Sequence, residues 1–187
     1  MLDIKFDSFP ILSTPRLNLR AIDHSDSIAL FELRSNDQVL KYLDREPPSD
    51  IQEIETLIQK IVDSFAENEG INWAITLKGN NQLIGTIGFW RIIKEHHRAE
   101  IGYLLHPNYW NNGLMFEALM KVISYGFNNI KFHSIEANVN PNNLASIKLL
   151  KKTGFRQEAY FKENYYYNGK FFDSAIFTLL STKTNNI

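Results

Sequence analysis

Cysteine is missing from all 187 residues. That excludes disulfides, thiolate metal sites and any covalent mechanism through a cysteine. It suits a reducing compartment, and a cytoplasmic location is the expectation. An excess of one charge is missing too: Lys and Arg number 20 against 21 Asp and Glu, a net charge of −1. A nucleic-acid binder shows a basic face, so nucleic acid is not an expected partner. No apolar run approaches the roughly 20 residues that span a bilayer, so no membrane partner is expected. Residues Met1 to Pro10 lack the basic-then-apolar pattern of a secretory signal. His96 and His97 are adjacent, and His24, His106 and His133 lack zinc-ligand spacing, so no metal is expected.

What is present is ordinary globular material, 44% hydrophobic and 22% charged. The length predicts one domain over residues 1–187, at about 150 residues per domain. The first ten residues carry no pattern and read as an arm. Leu17 to Ala21 alternates and predicts a strand. Asp23 or Ser25 caps a helix whose apolar face is Ile28, Leu30, Phe31 and Leu33. Residues 36–48 read as irregular. Asp50, with Glu53 three residues on, opens a second helix along Ile51, Ile54, Leu57, Ile58, Ile61 and Phe65, which Gly70 ends. Strands follow at 72–77, 83–93 and 98–105, with Gly85 and Gly88 marking a bulge or a close approach. A helix from Gly113 carries Phe116, Leu119, Met120, Ile123 and Phe127. A strand at 134–139, a helix from Asn143 to Gly154, and strands at 155–161 and 171–180 complete the chain.

The order is not a strict alternation of strand and helix. It predicts an α+β (mixed α/β) fold: a mixed, mostly antiparallel sheet of about seven strands flanked by about four helices. One parallel crossover joins the strands on either side of the helix from Gly113.

The chain is organised around residues 98–118. A strand ends at His106–Pro107, a polar loop follows, and Gly113 opens a helix. Backbone N–H groups at a helix start are unpaired and carry partial positive charge, which makes such a loop an anion site. A pyrophosphate is the predicted ligand.

The order of elements, with this loop after the fourth strand, resembles the GNAT superfamily of acetyl-CoA-dependent N-acetyltransferases. Thr14-Pro15-Arg16-Leu17-Asn18-Leu19-Arg20 is similar to the opening of its ribosomal-protein-alanine N-acetyltransferase branch. So are Ala99-Glu100-Ile101-Gly102-Tyr103, the Asn-Pro-Asn-Asn-Leu-Ala-Ser run at 140–146, Lys152-Thr153-Gly154-Phe155, and Asn168-Gly169-Lys170 leading to Asp173. Of the family's loop pattern, Trp110-Asn111-Asn112-Gly113-Leu114-Met115 matches strictly only at Gly113. Met115 stands where the family has Gly or Ala. Backbone N–H groups from Asn111 through Phe116 can still hold phosphate if the side chains turn away.

The resemblance implies acetyl transfer from acetyl-CoA, as co-substrate, directly to a primary amine. Tyr103, Leu104 and Leu105 are expected to pair with the pantetheine arm through their backbone, with an N–H near Leu105 facing the oxyanion. Glu100 is the first candidate for general base and Glu136 the second, since Asn138 stands where some relatives carry Glu. Leu150 stands where many relatives carry a Tyr acid. Ser146, one helical turn earlier, is the candidate partner of the leaving sulfur. Asn143 is expected both to cap that helix and to touch the cofactor.

Two stretches read as acceptor walls, Tyr42 to Pro48 and the aromatic run Tyr160 to Phe172. Glu46, Glu163 and Asp173 would attract a cationic amine. A protein or peptide N-terminal amine is the expected acceptor. A polyamine, amino sugar or amino acid is the alternative, as is a non-catalytic acyl-CoA-binding module. A homodimer is an allowed assembly.

Overall fold

A computed structural model describes residues 1–181 and gives the chain a mixed α+β fold. Its core is one sheet of eight strands in the order β1-β2-β3-β4-β5-β6-β8-β7. These are β1 (Leu12–Ser13), β2 (Leu17–Ala21), β3 (Ile71–Leu77), β4 (Gly85–Ile93), β5 (Arg98–Leu105), β6 (Ser134–Val139), β7 (Arg156–Tyr167) and β8 (Lys170–Leu180). Five α-helices are present among the described residues: α1 (Ser27–Ser35), α2 (Asp37–Leu40), α3 (Ile51–Ala66), α4 (Leu114–Tyr125) and α5 (Leu144–Lys152). None is long and apolar enough to cross a membrane.

Every neighbouring pair of strands is antiparallel except β5 and β6, which α4 links as a parallel crossover. Two apolar layers cover the sheet. One packs α4 and α5 against Leu17, Leu19, Trp73, Phe89, Ile101, Leu105, Ile135 and Phe177. The other packs α1 and α3 through Leu30, Leu33, Ile54 and Ile58 against Ile22, Ala74 and Leu83. Each fully buried Leu or Ile contributes about 1.5–3 kcal/mol, so both faces are firmly held.

Several local expectations shift. The opening arm is packed down: Leu2 and Ile4 are buried, and the Phe6 and Phe9 rings lie on Phe65. Single apolar residues anchor it without any period to announce them. The two-residue β1 and the four-residue α2 are too short to show periodicity. Ile28 points to solvent, leaving Leu30 and Leu33 as the buried residues on the apolar side of α1. Helix α3 is followed by Asn68 in the left-handed region at φ 56°, not by Gly70. The buried stripe of α4 is Leu114, Met115, Ala118, Leu119, Val122 and Ile123, rotated from the predicted face, and Met120 is exposed. Small Ala118, fully buried, lets the helix sit close to the sheet. Strand β7 runs six residues past its predicted end at Phe161. A bulge there, with Glu163 at φ 48°, breaks the alternation.

Gly88 shows a close approach directly. A Cβ there would lie 2.3 Å from the Ile71 carbonyl oxygen. Arg20 explains the end of the opening motif. Its guanidinium makes two 2.7 Å bonds to the buried carboxylate of Asp26, tying β2 to the turn before α1.

Candidate active site

The parallel ladder between β5 and β6 has three pairs and stops at Glu100 opposite Glu136. Beyond that point the ladder between the two strands is missing and a gap opens in the middle of the sheet. The direction of the β5 backbone follows from its other edge. The His106 N–H donates to the Ile84 carbonyl at 2.8 Å. Antiparallel partners exchange both bonds on alternate residues, so Leu104 and Gly102 also face β4. Tyr103 and Leu105 therefore turn their N–H and C=O groups into the gap. The Trp110 indole fills one of these positions, donating to the Leu105 carbonyl at 2.7 Å. The Leu105 N–H still faces the gap.

That same indole bond pins the loop after β5. Asn111 and Gly113 both take left-handed backbone, at φ 60° and 72°. The first helical bond of α4 runs from the Glu117 N–H to the Gly113 carbonyl at 3.1 Å. The N–H groups of Leu114, Met115 and Phe116 precede it and have no helical partner. Leu114 and Met115 send their side chains into the core, where Met115 is 9% exposed. The residue that departs most from the family loop is thus packed into the core, away from the open N–H groups. Phe116 lies under the Lys152 ammonium of α5 at 4.5 Å.

Arg16 completes this corner, and the sequence reading assigned it no role. Its guanidinium donates to the Asn112 carbonyl at 2.8 Å and to the Glu117 carboxylate at 2.7 Å. A Cβ on Gly113 would lie 3.6 Å from it. Glu117 also accepts from the Thr14 hydroxyl and the Arg16 N–H. Burial pushes the Glu117 carboxyl up, but these donors outweigh it and hold the carboxyl below its usual range. The Thr-Pro-Arg run is therefore a clamp on the loop.

Glu100 stands where the strands part, 8% exposed. Arg91 of β4 reaches its carboxylate at 3.2 Å, and the Asn138 backbone N–H donates to it. Burial raises the Glu100 carboxyl, and neighbouring Glu136 adds to that, while Arg91 opposes both. Arg91 occupies a bulge at φ 46° and stacks 4.3 Å over the Trp90 ring. Glu136 is more open and is paired with Arg98 at 3.9 Å.

Ser146 lies in the first turn of α5. Its N–H bonds the Asn143 side chain at 3.1 Å, confirming Asn143 as the cap. Its hydroxyl lies 2.7 Å from the Tyr103 hydroxyl. Burial pushes the Tyr103 phenol up to about 12. Leu150 is fully buried.

The two predicted acceptor walls meet. The Tyr165 hydroxyl bonds Asp44, and the Tyr167 hydroxyl bonds Glu46 at 2.8 Å. Asn140, at the start of the link into α5, lies beside the Tyr165 hydroxyl. Tyr160 bonds Asp173, which also accepts the Glu163 N–H at 2.8 Å. Glu163 thus uses its backbone at this point.

A sheet split in this way, over a loop that offers a row of backbone donors, describes a transferase that draws on acyl-CoA. The sequence profile of the acetyltransferase (GNAT) domain matches residues 16–156, and the chain belongs to this family. It is 39% identical to an uncharacterized N-acetyltransferase, YoaA, of Bacillus subtilis, over 94% of this chain and 99% of that one. It is 25% identical to the spermidine N(1)-acetyltransferase of Vibrio cholerae, over 91% of this chain and 96% of that one. In structure it superposes with a ribosomal L7/L12 alpha-N-protein acetyltransferase solved with coenzyme A, at a TM-score of 0.84 and 23% identity. That match covers 91% of this chain and 98% of the other. The protein is an acetyl-CoA-dependent N-acetyltransferase.

Proposed function

We propose that the protein moves the acetyl group of acetyl-CoA directly to the N-terminal amine of a peptide or protein. The gap between β5 and β6 carries the transfer chemistry, and the resemblance of the 14–20 and 140–146 runs to the ribosomal-protein-alanine branch supports the acceptor. A buried carboxylate stands at the apex of the gap, backbone N–H groups line one edge, and a hydroxyl pair lies beside it. The N–H groups of Asn111 through Phe116, with Arg16 behind them, suit the pyrophosphate. The Tyr103 backbone suits an amide of an arm laid along the strand, while the Leu105 carbonyl is held by Trp110 and Leu104 faces β4.

Each task then has a residue. Glu100, ionised, takes the proton of the attacking amine through a water, a contribution of about 10²–10⁴-fold. The Leu105 N–H faces the oxygen that gains charge as the amine nitrogen bonds the carbonyl carbon. Ser146 donates a hydrogen bond to the sulfur as the carbon–sulfur bond breaks. Asn143 holds the helix start that carries Ser146. The acceptor enters between residues 42–48 and the β7–β8 hairpin.

A polyamine acceptor is the second reading. It is favoured by the acidic groups gathered at that wall, Asp44, Glu46 and Asp173. The test is free thiol released from acetyl-CoA against peptides with varied N-terminal residues, and against spermidine and spermine. Turnover with peptides and not with polyamines is expected. Turnover with polyamines alone overturns the acceptor reading. Acetyl-CoA binding without thiol release from any amine overturns the proposed chemistry.

A further inference from the structure

We infer that Tyr103 is a positioning residue that aims the Ser146 proton at the cofactor sulfur. The inference rests on the coenzyme A site proposed above and adds a residue that the sequence reading used only for its backbone. Tyr103 lies past the last ladder pair of β5, and Ser146 lies on the helix that follows β6. Their 2.7 Å bond therefore bridges the two elements that flank the gap.

The direction of the bond follows from acidity. A phenol is a far stronger acid than an aliphatic hydroxyl and is the better donor. Burial keeps Tyr103 protonated throughout the neutral range, so its proton is present to be donated. At 2.7 Å either hydroxyl can donate, and the acidity ranking makes Tyr103 the donor and the Ser146 oxygen the acceptor. A hydroxyl has one proton. With its oxygen held from behind, Ser146 must send that proton elsewhere. The Ser146 N–H is already directed to Asn143, which fixes the turn that carries the side chain. The remaining direction is the gap, where the thiolate departs. A hydroxyl that accepts one hydrogen bond also donates a stronger one, so the pair outperforms Ser146 alone. The step needs no proton from Tyr103. The sulfur takes the electron pair of the breaking bond, and Ser146 stabilises that charge by donation.

The test needs no amine acceptor. Coenzyme A is bound to the protein and its thiol is titrated by the ultraviolet absorbance of the thiolate. In the wild type the bound thiol ionises at lower pH than free coenzyme A. Tyr103→Phe keeps the ring and its packing, and it raises that pH by about half to one unit. Ser146→Ala raises it as far or further. The double variant matches Ser146→Ala, while Ser146→Thr, which keeps a hydroxyl, stays near the wild type. Thermal melting controls for the fold. A thiol unchanged by Tyr103→Phe but moved by Ser146→Ala overturns the role of Tyr103. A thiol unchanged by both places the pair away from the sulfur and also overturns it. Failure of the wild type to bind coenzyme A is a separate result, and it removes the site itself.

Discussion

At the scale of residues, Glu100 is in conflict with its surroundings. Burial disfavours its charge, and Arg91 only partly restores it. The linkage has a definite sign. A carboxyl raised in the fold binds its proton more tightly there than in the unfolded chain. Its stabilising contribution is full below the ordinary carboxylate value and is lost as pH rises through the raised value. At neutral pH the charge therefore costs stability. Glu100→Gln is expected to raise the melting temperature at pH 7 while lowering kcat/KM by about 10²–10⁴-fold. Activity that persists counts against Glu100 as base, and a protein that melts earlier shows that Arg91 outweighs the burial of the charge. The same balance sets a pH profile. The acid limb of kcat/KM is expected above the usual carboxylate range, and Arg91→Met is expected to move it further up. Glu136 and the Asn138 N–H remain as neighbours of Glu100 in that variant. An unmoved limb would mean that Arg91 does not govern this proton.

Arg20 makes a stability statement of a different kind. Its partner Asp26 is 3% exposed. Arg20→Ala strands that carboxylate in the core, at a cost of about 3–5 kcal/mol. At roughly 2–4 °C per kcal/mol, Tm should fall by about 10 °C. A change of a degree or two would show that water reaches Asp26.

At the scale of elements, the β7–β8 hairpin is more than a sheet edge. Its tip reaches Asp44 and Glu46 through Tyr165 and Tyr167. Burial and the Asp44 carboxylate both push the Tyr165 phenol up, so it stays a donor. Tyr165→Phe is expected to loosen this wall. KM for the acceptor should rise several-fold while acetyl-CoA affinity holds, which steady-state kinetics and calorimetry separate. Equal loss of both would place Tyr165 in the cofactor site.

Local pattern made most elements legible. Strands β2, β5 and β6 have the predicted bounds because alternation and a flanking breaker mark both ends. The loop and the Asn143 cap were legible because they are local in sequence. What holds the site together was not. Tyr103 and Ser146 are 43 residues apart, Arg16 and Glu117 are 101 apart, and Tyr165 and Asp44 are 121 apart. No period within a window reports such pairs. The Thr-Pro-Arg run was visible as a motif, but its task needed the partner. The bulge at Glu163 hid the length of β7 by putting two registers into one strand.

At the scale of the whole molecule, one topological event organises the protein. A parallel pair inside an otherwise antiparallel sheet needs a crossover, and α4 provides it. The crossover delivers a helix N-terminus to the end of β5, beside the gap where β6 departs. The proposed anion site, the open backbone edge and the buried carboxylate thus converge from one connection. The helices on both faces anchor the two halves of the sheet, so the gap persists without a ladder across it.

In the proposed site this loop holds the pyrophosphate of acetyl-CoA through its backbone. Gly113→Asp tests it most directly. Aspartate tolerates left-handed backbone, and no protein atom crowds a Cβ there, Arg16 being nearest at 3.6 Å. The new carboxylate would repel phosphate and engage the Arg16 guanidinium. Calorimetric titration with acetyl-CoA should show affinity falling at least tenfold, about 1.4 kcal/mol, with the melting temperature lowered by only a few degrees through the left-handed backbone at φ 72°. Undiminished affinity in a folded Gly113→Asp protein would contradict the account at its centre.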